Sequence, residues 1–470
     1  MNWAWGGWPG SWTLSPEPGS GSARAETGSG QGDGFMIEVP VGPLTICRRL
    51  KEHGFAAYVV GGAVRDALLD RPPVDWDVVT DALPGQVAAA FPGSRRRDEQ
   101  FGRVLVAGVD VLTMRSDGSY RDGRRPSEVT FTRHLELDLL RRDFTVNAMA
   151  YDPFTGVLID PTGGREDLEL RVVRAVGEAG ERFGEDHLRA LRALRLGAVL
   201  GFSLHPHTAA AIRAHATRVG LVAPERVRAE LEAILLSPGV SPALEHLAAW
   251  GLLPAMLPEL EPAYRQKERS TFRHCVLTAH YAPAVVELRW AGLFHDAGKV
   301  EGEGADHAAS SACLAQTALE RLRSPRRLIR QVVRLVEHHM FTYPEGTPAG
   351  TMRRMVLCLG PDGVRELLAL RYADRQASGR PGLGEQGERA LAHLRQVLVE
   401  GSAIGLSQLA IDGDDVAKAL SWVPGPGIGR ILELVHRRVL DDPALNQREA
   451  LLQLVEELGG RPAENAGGGD

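Results

Sequence analysis

The stretch YVVGGAVRDALLDRPPVDWDVVT, Tyr58 to Thr80, decides how the first half of this chain is read. Tyr58-Val59-Val60 is a short apolar strand that runs straight into Gly61-Gly62. A helix follows, with Arg65 and Asp66 in its first turns and Leu68-Leu69 as its buried side. After the break at Arg71-Pro72-Pro73 comes a second strand carrying Asp75 and Asp77. Side chains alternate along a strand, so both carboxylates face one way while Trp76 and Val78 face the core. Two carboxylates held this close repel each other unless a cation lies between them. Oxygen ligands with no Cys or His nearby suit Mg²⁺, which commonly brings the phosphates of a nucleotide. The glycine pair adds close backbone approach and helix N-terminal amides aimed at an anion. Either half alone reads as readily as a tight turn or a solvated strand face. Their order and spacing together point to a nucleotide site.

This arrangement resembles the head domain of the nucleotidyltransferase superfamily that includes DNA polymerase beta. More narrowly, GGAVRD followed by DWDVVT resembles the class II tRNA nucleotidyltransferase and bacterial poly(A) polymerase family. The resemblance implies a multidomain α+β protein: a polymerase-beta-like head with a mixed sheet and helices, then all-helical neck and body, HD and tail domains. It implies that Asp75 and Asp77 hold Mg²⁺ and that Gly61, Gly62 and Arg65 contribute to nucleotide binding. In the broader superfamily a third carboxylate comes from a strand like Val109 to Met114, which makes Asp110 the candidate.

The composition leaves this reading open and closes several others. A length of 470 residues predicts roughly three to four domains. Hydrophobic content of 44% with 24% charged residues is that of an ordinary globular protein. No run approaches the roughly 18 apolar residues of a membrane span. Cys47, Cys275, Cys313 and Cys358 are scattered without C-x-x-C spacing, which fits a reducing, cytoplasmic setting and neither a disulfide framework nor a zinc ribbon. With a net charge of −6, any RNA binding must come from local arginine clusters. Such clusters stand at Arg95 to Arg97, Arg121 to Arg125, Arg141-Arg142 and Arg189 to Arg195, the first reading as a solvated face.

Residues 1–35 are rich in Gly, Ser and Pro, with four tryptophans and no apolar period, and read as a disordered extension from a misassigned start. They lack the basic start and apolar run of a signal peptide. Residues 36–165 are assigned to the head, with helices expected over Val41 to His53 and Gln86 to Phe91 and strands over Arg103 to Val106 and Val109 to Met114. Ser116 to Phe131 is Gly-rich, charged and aperiodic, so it reads as a loop. It resembles the flexible loop with which the family switches from adding C to adding A. In Leu135 to Pro153, Arg141-Arg142-Asp143 followed by Phe144 to Ala148 is a second family signature. There Arg142 is expected to bind the triphosphate through charge-assisted bonds, and Asp143 to position the ribose.

Residues 166–262 are assigned to the neck and body. In RFGEDHLRALRALRLGAVLGF, Glu185-Asp186 caps a helix that carries Arg189, Arg192 and Arg195 at three-residue steps. Residues three apart on a helix are neighbours, so Asp186 and Arg189 are expected as an acceptor and donor side by side. A carboxylate accepts from the exocyclic amine of cytosine or adenine, and a guanidinium donates to the adjacent ring acceptor. Uracil and guanine leave both unpaired, at about 1–3 kcal/mol per group. This matches the family's selection of CTP and ATP without a nucleic acid template, with Arg192 and Arg195 serving phosphate or base. The family usually has Pro at the position of His187, a change that leaves the helix geometry intact. Pro224 to Ser237 matches the body helix of relatives.

Residues 263–380 carry a second constellation. His274, then His295-Asp296-Ala297-Gly298-Lys299, then Asp374 on a helical background resemble the HD phosphohydrolase superfamily. The match implies His274, His295, Asp296 and Asp374 as ligands, with His307 and His338 for a second metal. Imidazole and carboxylate suit Mg²⁺ or a divalent transition metal, and a metal-activated water attacking a phosphoester is the expected chemistry. In the family such a module adds phosphatase, 2′-nucleotidase and cyclic phosphodiesterase activities. Residues 381–460 read as a helical, RNA-binding tail and 461–470 as a frayed end. The whole implies an enzyme that adds CCA, or its terminal A, to tRNA from CTP and ATP. A bacterial poly(A) polymerase, and an HD phosphohydrolase with an RNA-binding head, are the alternatives.

Overall fold

A computed structural model describes residues 36–96, 98–118, 128–266, 269–300, 307–402 and 405–459. The expected extension over 1–35, the arginines at 121–125 and the C-terminal end over 461–470 lie outside the described residues.

The head is built on a sheet of seven strands: β1 (Ala57–Val60), β2 (Asp77–Thr80), β3 (Arg95–Arg96), β4 (Arg103–Val106), β5 (Val109–Thr113), and, skipping a hairpin, Ala150–Tyr151 and Leu158–Ile159. Their order is β3, β4, β5, β2, β1, then the two later strands. Only β2 and β5 run parallel; every other pairing in this sheet is antiparallel, so the sheet is mixed, as expected. Alternation splits its residues between two apolar layers. Val59, Val78, Val104 and Val111 pack with Leu50 and Val64 from the flanking helices Val41–Glu52 and Gly62–Leu68. Val60, Val79 and Ala150 pack on the opposite face with Met114 and Leu139. Trp76, just before β2, packs against the same layer as Val78. In the helix Gly62–Leu68 the fully buried positions are Ala63 and Val64, whereas Leu68 and Leu69 are only half-buried. The expected loop from Ser116 is rooted in a hairpin, Arg115–Asp117 against Val129–Phe131.

The rest of the chain is helical. Val172–Val173 and Ser203–Leu204 form a two-stranded parallel link between the end of the head and the neck. One continuous apolar core then runs from the head through the neck, the body and the histidine-bearing helices to Val397. The helix Gly384–Glu400, expected in the tail, contributes Ala390, Leu394 and Val397 to this core. A separate cluster from Ile411 to Val455 forms the tail proper.

One tight contact near the end of the head tests the packing. Gly164 donates its amide to Asp160 Oδ1 at 2.9 Å, and a Cβ built on it would lie 2.2 Å from the Thr145 carbonyl oxygen. Gly164→Ala is expected to destabilise the protein by about 1–3 kcal/mol, as overpacking does, read as a lower denaturant midpoint.

Candidate active site

Parallel pairing of β2 with β5 sets Asp77 directly beside Asp110. Burial and then the Asp110 charge raise the Asp77 carboxyl above its ordinary value, and Asp75 adds to the same push. Arg142 and Arg103 oppose it. Asp75 itself stands two residues before the first strand residue, exposed, so the expected strand is shorter than the alternation argument assumed. Among the described residues, Asp75, Asp77 and Asp110 do not converge into a cluster of three ligand atoms. Asp110 is engaged by Arg103, whose Nε donates to Oδ1 at 2.9 Å and whose Nη2 donates to Oδ2. A buried carboxylate beside a second one suits a divalent cation, which lifts that repulsion.

The glycine turn faces this row. Gly61 has φ of +75°, a conformation that favours glycine, and a Cβ there would meet Arg142 Nη1 at 3.0 Å. Its amide donates to the Met149 carbonyl at 3.2 Å, while Gly62 opens the helix. Arg65 donates from Nε to Asp66 Oδ1 at 2.8 Å and from Nη1 to Asn147 Oδ1 at 2.6 Å. Arg142 donates to Asp138 Oδ2 at 3.2 Å. Burial would raise the Asp138 carboxyl, but Arg141 and Arg142 hold it below its ordinary value.

Asp143 carries the network into the neck. Its Oδ1 accepts from the Phe144 amide at 2.9 Å and from Asn147 Nδ2 at 3.3 Å. Its Oδ2 accepts from Arg192 Nε at 2.8 Å. Burial opposes the charge, yet Arg192 and then Arg189 pull the carboxyl down to about 2.

Arg189, Arg192 and Arg195 all lie on the helix Arg189–Leu200, as expected. Asp186 does not. It ends the preceding helix Ala179–Glu185 in an extended conformation, and its Oδ1 accepts from the Leu188 amide at 3.0 Å. The three-residue spacing therefore spans a break between helices: the Arg189 amide donates to the Asp186 carbonyl at 3.0 Å, while the two side chains turn to other partners. Asp186 Oδ2 accepts from Arg226 at 3.0 Å. Arg189 donates from Nη1 to Glu185 Oε2 at 2.5 Å, and its Nη2 makes only a 3.5 Å contact with the Arg141 carbonyl. Arg195 pairs with Glu230 at 2.6 Å.

The histidine constellation closes as a compact cluster. His274 Nε2 lies 3.2 Å from His295 Nε2 and 3.0 Å from Asp374 Oδ1. Asp296 stands between two triads. Its Oδ2 lies 3.4 Å from both His274 and His295, and its Oδ1 lies 3.4 Å from both His307 and His339. Ligand-type atoms of His274, His295 and Asp374 converge, as do those of Asp296, His307 and His339. His339, not the expected His338, joins the cluster. The helix Arg326–His338 buries Leu328, Val332, Leu335 and Val336, and that apolar period continues to 339. Periodicity alone would have separated the two histidines. Asp296 Oδ1 and His339 Nε2 are buried without a hydrogen bond, so the donor set fits a divalent cation. Burial would lower the His295 imidazole, but Asp296 and Asp374 hold it well above its ordinary value, so the site favours positive charge.

Residues 57–174 match the family described as "Poly A polymerase head domain", 201–264 that described as "Probable RNA and SrmB- binding site of polymerase A", and 308–455 that described as "tRNA nucleotidyltransferase domain 2 putative". The chain is 34% identical over 418 residues to the CCA-adding enzyme of Geobacillus thermodenitrificans, covering 88% of this chain and 96% of that one. It is 35% identical over 419 residues to the CCA-adding enzyme of Geobacillus stearothermophilus. This chain belongs to the CCA-adding enzyme family. Family members are nucleotidyltransferases that use a divalent metal. The crystal structure of the Bacillus stearothermophilus CCA-adding enzyme in complex with CTP superposes with a TM-score of 0.69 at 30% identity, over 89% of this chain and 97% of that one. Within this family fold, no described helix is long and apolar enough to cross a membrane.

The residues that sequence reasoning left out are the partners: Arg103, Asp138, Asn147, Arg226 and Glu230. Asp138 meets Arg141 and Arg142 at helical spacing, which local periodicity could have found, and Arg103 meets Asp110 across a hairpin. Arg226, Glu230 and the Asn147–Arg65 bond join residues far apart in the chain, which no local spacing announces. The Asp143–Arg192 pair yields a pH signature. The folded value of about 2 lies below the ordinary 3.8, so the pair's contribution is present above pH 3.8 and is lost as pH falls through 2. Asp143→Asn is expected to lower stability at neutral pH, with the gap to the parent narrowing across that window in acid denaturation curves.

Proposed function

We propose that this chain adds CCA to the 3′ ends of tRNA from CTP and ATP without a nucleic acid template. The observation that carries the reading is the Asp77–Asp110 pair opposite the Gly61 turn, joined through Asp143 to the arginines of the neck helix. Kinship to CCA-adding enzymes along 88% of the chain supports it. Asp75 and Asp77, with Asp110 as third carboxylate, would hold Mg²⁺. When bound, Mg²⁺ supplies a lowered pKa for the attacking 3′-hydroxyl and charge neutralisation for pyrophosphate.

The chain's own groups do the rest. Gly61 and Gly62 let the backbone approach the triphosphate, with Arg65 and Arg142 on either side of the turn. Asp143 orients Arg192 and thereby the nucleotide between head and neck. Asp186 keeps lone-pair directions beyond those used by Leu188 and Arg226, and Arg189 Nη2 keeps donors, so the two can read a base edge as acceptor and donor. Arg192 and Arg195 serve the phosphates or base. RNA binding through phosphates makes affinity salt-sensitive rather than sequence-specific.

The test is incorporation of labelled CTP and ATP, separately and together, into tRNA lacking CCA, ending in CC, or complete. Ordered addition that stops at CCA is expected. ATP addition only to the CC end would make it an A-adding enzyme, and an unbounded A tail a poly(A) polymerase. Asp77→Ala is expected to abolish incorporation; persistence would refute the metal assignment.

A second activity, metal-dependent phosphoester hydrolysis, is favoured by the way Asp296 splits its two oxygens between two ligand triads. His274, His295, Asp296 and Asp374, with His307 and His339, would hold Mg²⁺ or a divalent transition metal, which when bound supplies an activated water. Asp374→Asn is expected to abolish hydrolysis of RNA-end phosphates and to leave nucleotide addition intact. Hydrolysis at the parent rate in that variant would remove this centre from the reaction.

A further inference from the structure

The stretch RLRSPRRLIRQVVR, Arg321 to Arg334, gathers six arginines in a chain whose net charge is −6. Four of them, Arg326, Arg327, Arg330 and Arg334, lie on the helix Arg326–His338 and are exposed. Positions 326, 330 and 334 are successive neighbours on a helix and 327 adjoins them, so the four share one face. The opposite face buries Leu328, Val332, Leu335 and Val336. The core thus takes up the apolar side, and the arginine side is what the helix presents to its surroundings.

The fold does not account for these charges. Among the described residues, Arg326, Arg327 and Arg330 form no hydrogen bond or ion pair. Arg334 donates from Nη1 to the Cys358 carbonyl at 3.0 Å. Like charges four apart on a helix repel each other. The helix also begins without a side-chain cap and with no acidic residue in its first turn, so Arg326 and Arg327 add charge to the positive end of its dipole. Beside the row lies a cleft of about 630 Å³ whose lining includes Arg327, Arg330 and Arg334 with Glu337, Asp362 and Glu366. Two of those carboxylates are engaged elsewhere: Glu366 accepts from Gln331 at 2.7 and 2.8 Å, and Asp362 from Arg365 at 2.6 Å. An anion from outside the chain would satisfy what the fold leaves open.

We propose that this arginine face is a docking surface for RNA, held through its phosphates and separate from the head, the neck and the tail. Steps of four residues set Arg326, Arg330 and Arg334 about 6 Å apart along the helix axis, close to the spacing of phosphates along an RNA strand. The guanidinium fork matches a phosphate bidentately. A membrane surface is not the occupant, because an amphipathic helix binds one through its apolar face, and here that face lies in the core. The helix falls within residues 308–455, the stretch whose family match names tRNA. The proposal rests on the reading that the chain acts on tRNA ends. Phosphate contacts of this kind hold the RNA without reading its sequence.

The experiment measures Kd for labelled tRNA lacking CCA between about 50 and 200 mM salt, with KM and kcat for tRNA and CTP alongside. Arg327→Gln combined with Arg330→Gln is expected to weaken binding about tenfold at the lowest salt and to reduce the slope of log Kd against log salt by about one to two. KM for tRNA is expected to rise, with kcat and KM for CTP unchanged. Arg327→Lys combined with Arg330→Lys keeps the charge and is expected to keep most of the slope. As a control, Arg165→Gln combined with Arg265→Gln removes the same charge from exposed pairs with Glu169 and Glu261, and is expected to bind as the parent does. A parental slope and KM in the glutamine variant at 327 and 330, or an equal loss in the control, would overturn the proposal. So would retained tRNA binding together with lost binding of polyglutamate, which assigns the face to an acidic protein. A parent that adds no nucleotide, yet binds tRNA and loses that binding in the variant, keeps the docking surface and removes the addition reading alone.

Discussion

Charge buried between the head and the neck is the constraint on which the candidate active site depends. Asp143 lies at the end of the head, mostly out of water, and an isolated carboxylate there would be expensive. Arg192 from the neck helix offsets that cost, with Asn147 and the Phe144 amide satisfying the other oxygen. The pair therefore sets the distance between two elements that the apolar core alone would let slide. Asn147 passes the constraint on to Arg65, and through Arg65 to the glycine turn.

The sheet imposes a second and opposite condition. In-register pairing of β2 and β5 forces Asp77 against Asp110, a juxtaposition that costs stability without a cation nearby. Arg103 answers that condition on Asp110. Where Asp143 is a charge stabilised by the fold, Asp77 is a charge the fold leaves wanting a partner. The difference separates a carboxylate that the fold stabilises from one that it leaves open to a cation.

The histidine cluster shows the same logic in a helical setting. Six side chains from separate helices and turns gather there: His274, His295, His307 and His339 around Asp296, with Asp374 against His274 and His295. Four imidazoles and two carboxylates gathered in one place have no purely structural advantage over an apolar core. It sits in the same continuous apolar core as the neck.

The sequence by itself determined the elements and most of their chemistry. The alternation in Asp77 to Thr80, the Gly61-Gly62 turn, the neck arginines at three-residue steps and the His-Asp pair are all local signals, set by strand and helix periods or by adjacent residues. It also held the answer for His339, in the apolar period of its own helix. Only the tertiary structure decided which charges meet. Asp186 pairs with Arg226, 40 residues along the chain, rather than with Arg189 three residues away, because the backbone turns extended at Asp186 and leaves the helix. Arg192 reaches Asp143 across 49 residues. Long-range ion pairs have no sequence period: they are set by where the packed core brings two helices together, and that is a property of the fold as a whole.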